Sequence, residues 1–118
     1  MRNQIKEKLM QIDNKVYYGM LPPSKAEEDW NFLVMAQKSI RKKRPESTDL
    51  QGYWSVAIFR ETFIPDELVF DVIEAMESIP GLRLADSECE YEYLQKGNTD
   101  IVIEALELRF TKTKKRDK

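Results

Sequence analysis

Histidine is missing from this chain of 118 residues, and cysteine occurs once, at Cys89. The first absence excludes histidine-based triads, histidine zinc sites and histidine proton shuttles. The second excludes an internal disulfide framework. Glycine is also scarce: Gly19, Gly52, Gly81 and Gly97 stand singly at predicted turns. Phosphate-cradling loops need clustered glycines so that backbone amides can reach the oxyanion, so neither a P-loop nor a dinucleotide fingerprint is present. No apolar run approaches the roughly 18–20 residues of a membrane-spanning helix. The opening stretch, MRNQIKEKLMQID, is charged throughout and lacks the apolar centre of a signal peptide, which predicts assembly in a cytoplasm.

What the chain has in quantity is charge and apolar side chains, 34% and 42% of residues, the balance of a globular domain. The length suits one domain, residues 1–118. The net charge of −2 hides a division: residues 61–107 hold 13 acidic and 2 basic side chains, the remainder 8 and 17. Such polarity favours head-to-tail contact between copies, although a surface sorted only for solubility gives the same count.

The clearest local signal is Pro65–Gly81, PDELVFDVIEAMESIPG. Asp66 and Glu67 place negative charge beside the free N–H groups of a first helical turn. Leu68, Val72, Met76 and Ile79 form one stripe, widened by Val69, Ile73 and Ala75, while Glu67, Asp71, Glu74 and Ser78 lie off it. Pro80-Gly81 ends the helix, so the main helix is expected at about 66–79. A shorter helix over 2–12, with Ile5, Leu9 and Ile12 on one side, needs a surface to dock on.

Strands are expected at 16–18, 30–36, 53–61, 88–93 and 101–111, with extended structure restarting at 82–84. In Tyr53–Glu61 both alternating sets are largely apolar, which predicts a central strand. In Glu88–Tyr93 the alternation is strict, Cys89, Tyr91 and Tyr93 against Glu88, Glu90 and Glu92, which predicts a half-exposed strand with Cys89 as a small buried residue. Leu106, Leu108 and Phe110 are expected to face inward. The polar stretch SIRKKRPESTDLQ at 39–51 reads as a long loop, and the basic end, 112–118, as a frayed tail. The fold class is therefore α+β: a mainly antiparallel sheet packed by one main helix and a short N-terminal one, in the order α-β-β-β-α-β-β.

Few residues suggest chemistry. The serines have no histidine to activate them. Asp86, Glu88, Glu90 and Glu92, spaced by two, could share a divalent cation on one strand face; an exposed charged face that blocks edge pairing is the simpler reading. The sharpest feature outside the helix is Arg41-Lys42-Lys43-Arg44. It suits sequence-independent phosphate contact, a solvated loop tip, or contact with an acidic segment of a neighbouring copy. No aromatic residue lies within the run to stack a base.

In arrangement and flavour the chain resembles the tail terminator and tail-completion proteins of long-tailed bacteriophages, above all small tail components of phages and prophages of Gram-positive bacteria. The resemblance rests on VYYG at 16–19, WNFLVM at 30–35, YWSVAIFRETFIPDELVFDVIEAMESIPGLRLAD at 53–86 and NTDIVIEALELRFTKTKK at 98–115. It implies a structural protein and no enzyme, without cofactor, metal or small-molecule substrate. Its implied partners are further copies of itself in a ring, typically a hexamer, together with the tail tube protein and the head-tail connector. It further implies a place in the virion tail, assembled in the host cytoplasm, with DNA passing through the lumen. Residues 39–51 fall where that family has an extended hairpin loop. Arg41, Lys42, Lys43 and Arg44 are the candidate interaction loop, and Glu88, Glu90 and Glu92 the candidate inter-subunit acidic strand. The alternatives are a small nucleic-acid-binding domain using Arg41–Arg44 and the basic tail, another neck protein such as a head-completion protein, or a metal-dependent enzyme using the 86–92 carboxylates.

Overall fold

The computed structural model describes residues 1–22, 29–42, 44–45 and 49–114. Two helices and six strands follow the expected order, with one two-residue strand where extended structure was to restart: α1 (Arg2–Met10), β1 (Val16–Tyr18), β2 (Phe32–Lys42), β3 (Leu50–Glu61), α2 (Asp66–Glu77), β4 (Arg83–Leu84), β5 (Tyr91–Gln95) and β6 (Val102–Lys114). The strands form one sheet, β1-β2-β3-β6-β4, with β5 also paired to β6. All pairs are antiparallel except β1 with β2. β3 is central, as its two apolar faces predicted.

Both helices pack on one face of this sheet. The apolar stripe of α2 buries Val72 and Met76 against Leu33 and Met35 of β2, Val56 and Ile58 of β3, and Leu106, Leu108 and Phe110 of β6. α1 adds Ile5 and Leu9, both fully buried. Each such side chain contributes about 1.5–3 kcal/mol through removal from water. α1 is too short to persist alone, and it rests on α2 and β1. Its C-terminal end is held by an ion pair 2.8 Å long between Arg60 and Asp13, which also accepts the Lys15 N–H at 2.9 Å.

The start of α2 has no side-chain cap. Instead Glu104 of β6 accepts the Ile64 N–H at 2.7 Å, one residue before Pro65. After the helix, Gly81 has φ +84°, and a Cβ there would lie 2.7 Å from Lys112 Nζ. That ammonium donates to the Pro80 carbonyl at 2.8 Å and could swing aside, so it is the positive φ of the turn that calls for glycine. Thr62 also has a positive φ, +79°, which is strained for a β-branched residue.

Three expectations change. The loop predicted over 39–51 is largely a β-hairpin: β2 runs to Lys42 and β3 begins at Leu50, paired Lys42↔Leu50, Arg41↔Gln51 and Ile40↔Gly52. Two things hide this in the sequence. From Lys38 to Lys42 the strand is exposed on both faces, so no apolar alternation marks it, and a register shift between Gln37 and Ser39 breaks its period. Lys112–Lys114, expected in the frayed tail, continue β6 opposite Gly52–Leu50, because β3 extends far enough to offer them backbone partners. Residues 115–118 lie outside the described residues. The strand expected over 88–93 begins only at Tyr91, and all five residues of β5 are exposed. Cys89 is half-buried against the core, not fully buried.

The outcome is a molecule of 54 × 28 × 27 Å. One end is a helix-backed body. The ends of β2, β3 and β6 form an arm that runs beyond it.

Candidate interaction surface on the open face of the sheet

Strand alternation sends Phe32, Val34 and Ala36 of β2, Ser55, Ala57 and Phe59 of β3, and Ile103 and Ala105 of β6 to the face opposite the helices. Among the described residues no helix covers them. Yet Phe32 and Ile103 are 1% exposed and Ser55 is 2% exposed. Part of the cover is aromatic. Tyr17, Trp30 and Phe59 surround Phe32, with ring centroids 5.5, 5.3 and 5.0 Å away. Glu61 fastens this cover by accepting the Trp30 N–H at 2.8 Å, and it also pairs with Lys96 at 3.3 Å. The Trp30 amide is the main reason that the Glu61 carboxyl titrates below its ordinary range; Lys96 adds to the effect, and burial opposes it.

Beside the aromatic cluster the face is open. An apolar groove of about 380 Å³ runs between Met20, Leu21, Trp30, Val34, Ala36 and Leu94. Ala57, Phe59, Leu94 and Glu107 border both this groove and a second cleft, of about 350 Å³, so the two form one trough. The second cleft is acidic: Glu88, Glu90, Glu92 and Glu107 line it, with Cys89 and Arg109. Glu107 is satisfied by Arg109 at 3.1 Å and Lys38 at 3.7 Å. Glu88, Glu90 and Glu92 have no ion-pair partner among the described residues. Of these three, only Glu92 belongs to a strand; Glu88 and Glu90 lie in the segment that approaches it. Among the described residues, no three Cys, Asp or Glu side chains converge closely enough to hold a metal ion.

The basic run lies at the far end of the molecule. Arg41 and Lys42 are exposed on the final residues of β2, Arg44 is exposed in the hairpin turn with Pro45, and Lys43 lies outside the described residues. The Arg41 guanidinium sits 5.4 Å from the Tyr53 ring centroid. The structure therefore does not join the two candidate sets: one lines the trough, the other tips the arm.

Sequence reasoning missed the apolar trough itself. The signal was the second apolar set of β3, Ala57 and Phe59, which marked burial on both faces without showing that only one face had helices to cover it. The alternation of Tyr91 and Tyr93 against Glu92 was legible, and the pair lies on the opposite face of β5. The Tyr93 hydroxyl titrates above its ordinary range, chiefly because it hydrogen-bonds Glu104. Tyr91 is raised by burial, then by the charges of Asp66 and Glu104. Both rings are largely exposed, beside Leu94 on an edge strand.

Comparison with protein-family models and with curated proteins finds no match to this chain. Among the described residues no helix is long and apolar enough to cross a membrane.

Proposed function

We propose that this protein is a structural subunit of a bacteriophage or prophage tail, one that caps the tail tube as an oligomeric ring and joins it to the head connector. The observation that supports this reading best is the open face of the sheet. Among the described residues an apolar trough is left uncovered there, and a two-sided arm extends away from the body. Surfaces of this kind suit contact with other chains better than turnover of a small molecule. The charge division of the sequence acts in the same sense, since an acidic trough and a basic arm at opposite ends suit a heterologous contact that closes into a ring. The subunit works by shape and contact, without catalysis.

The test is to mix the purified protein with tail tubes assembled from a tube protein of a Gram-positive phage and to examine them by electron microscopy. The expected outcome is a cap at one tube end and a halt in elongation. Tubes that keep growing, with no cap at either end, would refute the reading.

A second reading, nucleic-acid binding, draws on Arg41, Lys42, Arg44 and Lys112, which give the arm a basic character. It requires affinity for random-sequence DNA that falls steeply with salt. Within a ring that lets DNA pass, the same residues give only weak binding.

A further inference from the structure

We infer that the trough on the open face is the docking site for the hairpin arm of a second copy of this chain, the Arg41–Lys42 end of one molecule meeting the Glu90–Glu92 rim of the next. The inference rests on the proposed function for its setting, but its argument is geometric. Each half of the contact is incomplete in one chain. Glu88, Glu90 and Glu92 surround the acidic cleft with no cation paired to them among the described residues. Arg41 and Lys42 are exposed, and among the described residues Arg41 lies over the face of Tyr53 with no carboxylate paired to it. Like charges gathered at each site repel one another, and a cluster of the opposite sign relieves both.

One chain cannot join its own two halves. Arg41 aligns through Gln51 with Thr113 of β6, and Glu92 aligns with Ala105 of the same strand. Eight residues of continuous strand separate these positions, about 26 Å at the usual rise. Arg41 and Glu92 lie on the same face of a hydrogen-bonded sheet, so no side-chain motion closes that distance. A second molecule is needed.

The chemistries match beyond charge. On the arm Ile40, 49% exposed, shares one strand face with Lys42 while Arg41 points to the other, so that face offers a methyl-rich group beside a cation. The trough offers Leu94, 41% exposed, next to Glu92. An apolar contact beside an ion pair excludes water from that pair and strengthens it. Because the arm and the trough are different surfaces, the contact is heterologous: each copy gives an arm and receives one. Such contacts propagate until they close.

The experiment uses two full-length variants. R41E/K42E reverses the charge at the two arm positions that meet the rim and keeps the native acidic trough. E90K/E92K has a basic trough and the native basic arm. Each alone juxtaposes like charges, and each is expected to self-associate at least about tenfold more weakly than the native chain. Mixed in equal amounts they are complementary in both directions, and the mixture is expected to form particles heavier than either variant alone, by native mass spectrometry and light scattering at matched concentration. Circular dichroism and thermal melting establish that both variants are folded; K42E and E92K singly replace them if either double variant is not. A mixture no heavier than its separate components overturns the inference. Native self-association that survives both double substitutions also overturns it, while leaving the ring reading intact. Failure of tube capping with charge rescue preserved does the reverse.

Discussion

On one face of the sheet Leu33, Met35, Val56, Ile58, Leu108 and Phe110 lie beneath two helices and are at most 3% exposed. On the other, Val34, Ala36, Ala57 and Phe59 lie beneath no helix among the described residues and stay partly open. The residue types are much the same. What differs is the cover: two helices on one side, an aromatic cluster and an unfilled trough on the other. An apolar surface on a strand thus identifies burial without identifying what does the burying. On the helix side the partner is within the chain. On the open side no element among the described residues supplies one.

The difference between the faces can be broken most strongly at Phe110. Truncation there removes a fully buried ring from close packing, so Phe110→Ala is expected to cost about 3–5 kcal/mol in urea unfolding. Phe59→Ala on the open face should cost about 1–2 kcal/mol in the isolated chain, because its site is already partly wet. Equal losses at both positions would mean that the open face is as tightly packed as the core.

The clips that fasten each face should differ in the same sense. Asp13 is 8% exposed and holds both Arg60 and the Lys15 amide beside α1. Asp13→Ala is expected to lower stability by about 1–3 kcal/mol, since the partly buried guanidinium is left without its carboxylate. A loss of under half a kcal/mol would show that α1 does not depend on this contact.

A smaller effect of opposite sign is expected at Thr62. Its φ of +79° is costly for a β-branched side chain, and its N–H is fixed on the Val102 carbonyl at 2.9 Å. Thr62→Gly relieves about 1–2 kcal/mol of strain and gives back roughly half of that through the greater freedom of glycine in the unfolded chain. The net rise in thermal stability should be visible by calorimetry; a fall in melting temperature would mean that the Thr62 side chain makes a contact worth more than its strain.

The smallest effect concerns pH and sharpens the account of the open face. Glu61 titrates below its ordinary value of 4.5 in the folded chain. Its contribution is therefore complete above that value and is lost as pH falls through the lower, folded-state value. Glu61→Gln should flatten the acid limb of a stability–pH curve by lowering stability near neutrality and leaving the acid end almost unchanged. A limb of undiminished slope would assign the acid sensitivity to another carboxylate.

Legibility in the sequence tracks the cover. α2 and the inward-facing residues of β6 were readable because a helix stripe and a strand face were matched to each other, each with its own period. The β2–β3 arm was not, since a strand bare on both faces has no period to read. Glu88, Glu90 and Glu92 were recognisable as a charged group, and Arg41–Arg44 as a basic one. Their spacing could not reveal that the first group lines an apolar trough or that the second tips an arm about 26 Å of strand away.

The sequence by itself determined the class of the fold, the position of its main helix, the central place of β3 and the separation of opposite charges along the chain. These follow from local periodicity and composition, which need no knowledge of what packs where. Only the tertiary structure decided which apolar face is left open, how far β2 and β6 extend, and that the acidic cleft and the basic arm are held apart on one rigid sheet. Those outcomes depend on strand register and on the number of elements available to cover each face, and neither is written in the period of any single segment.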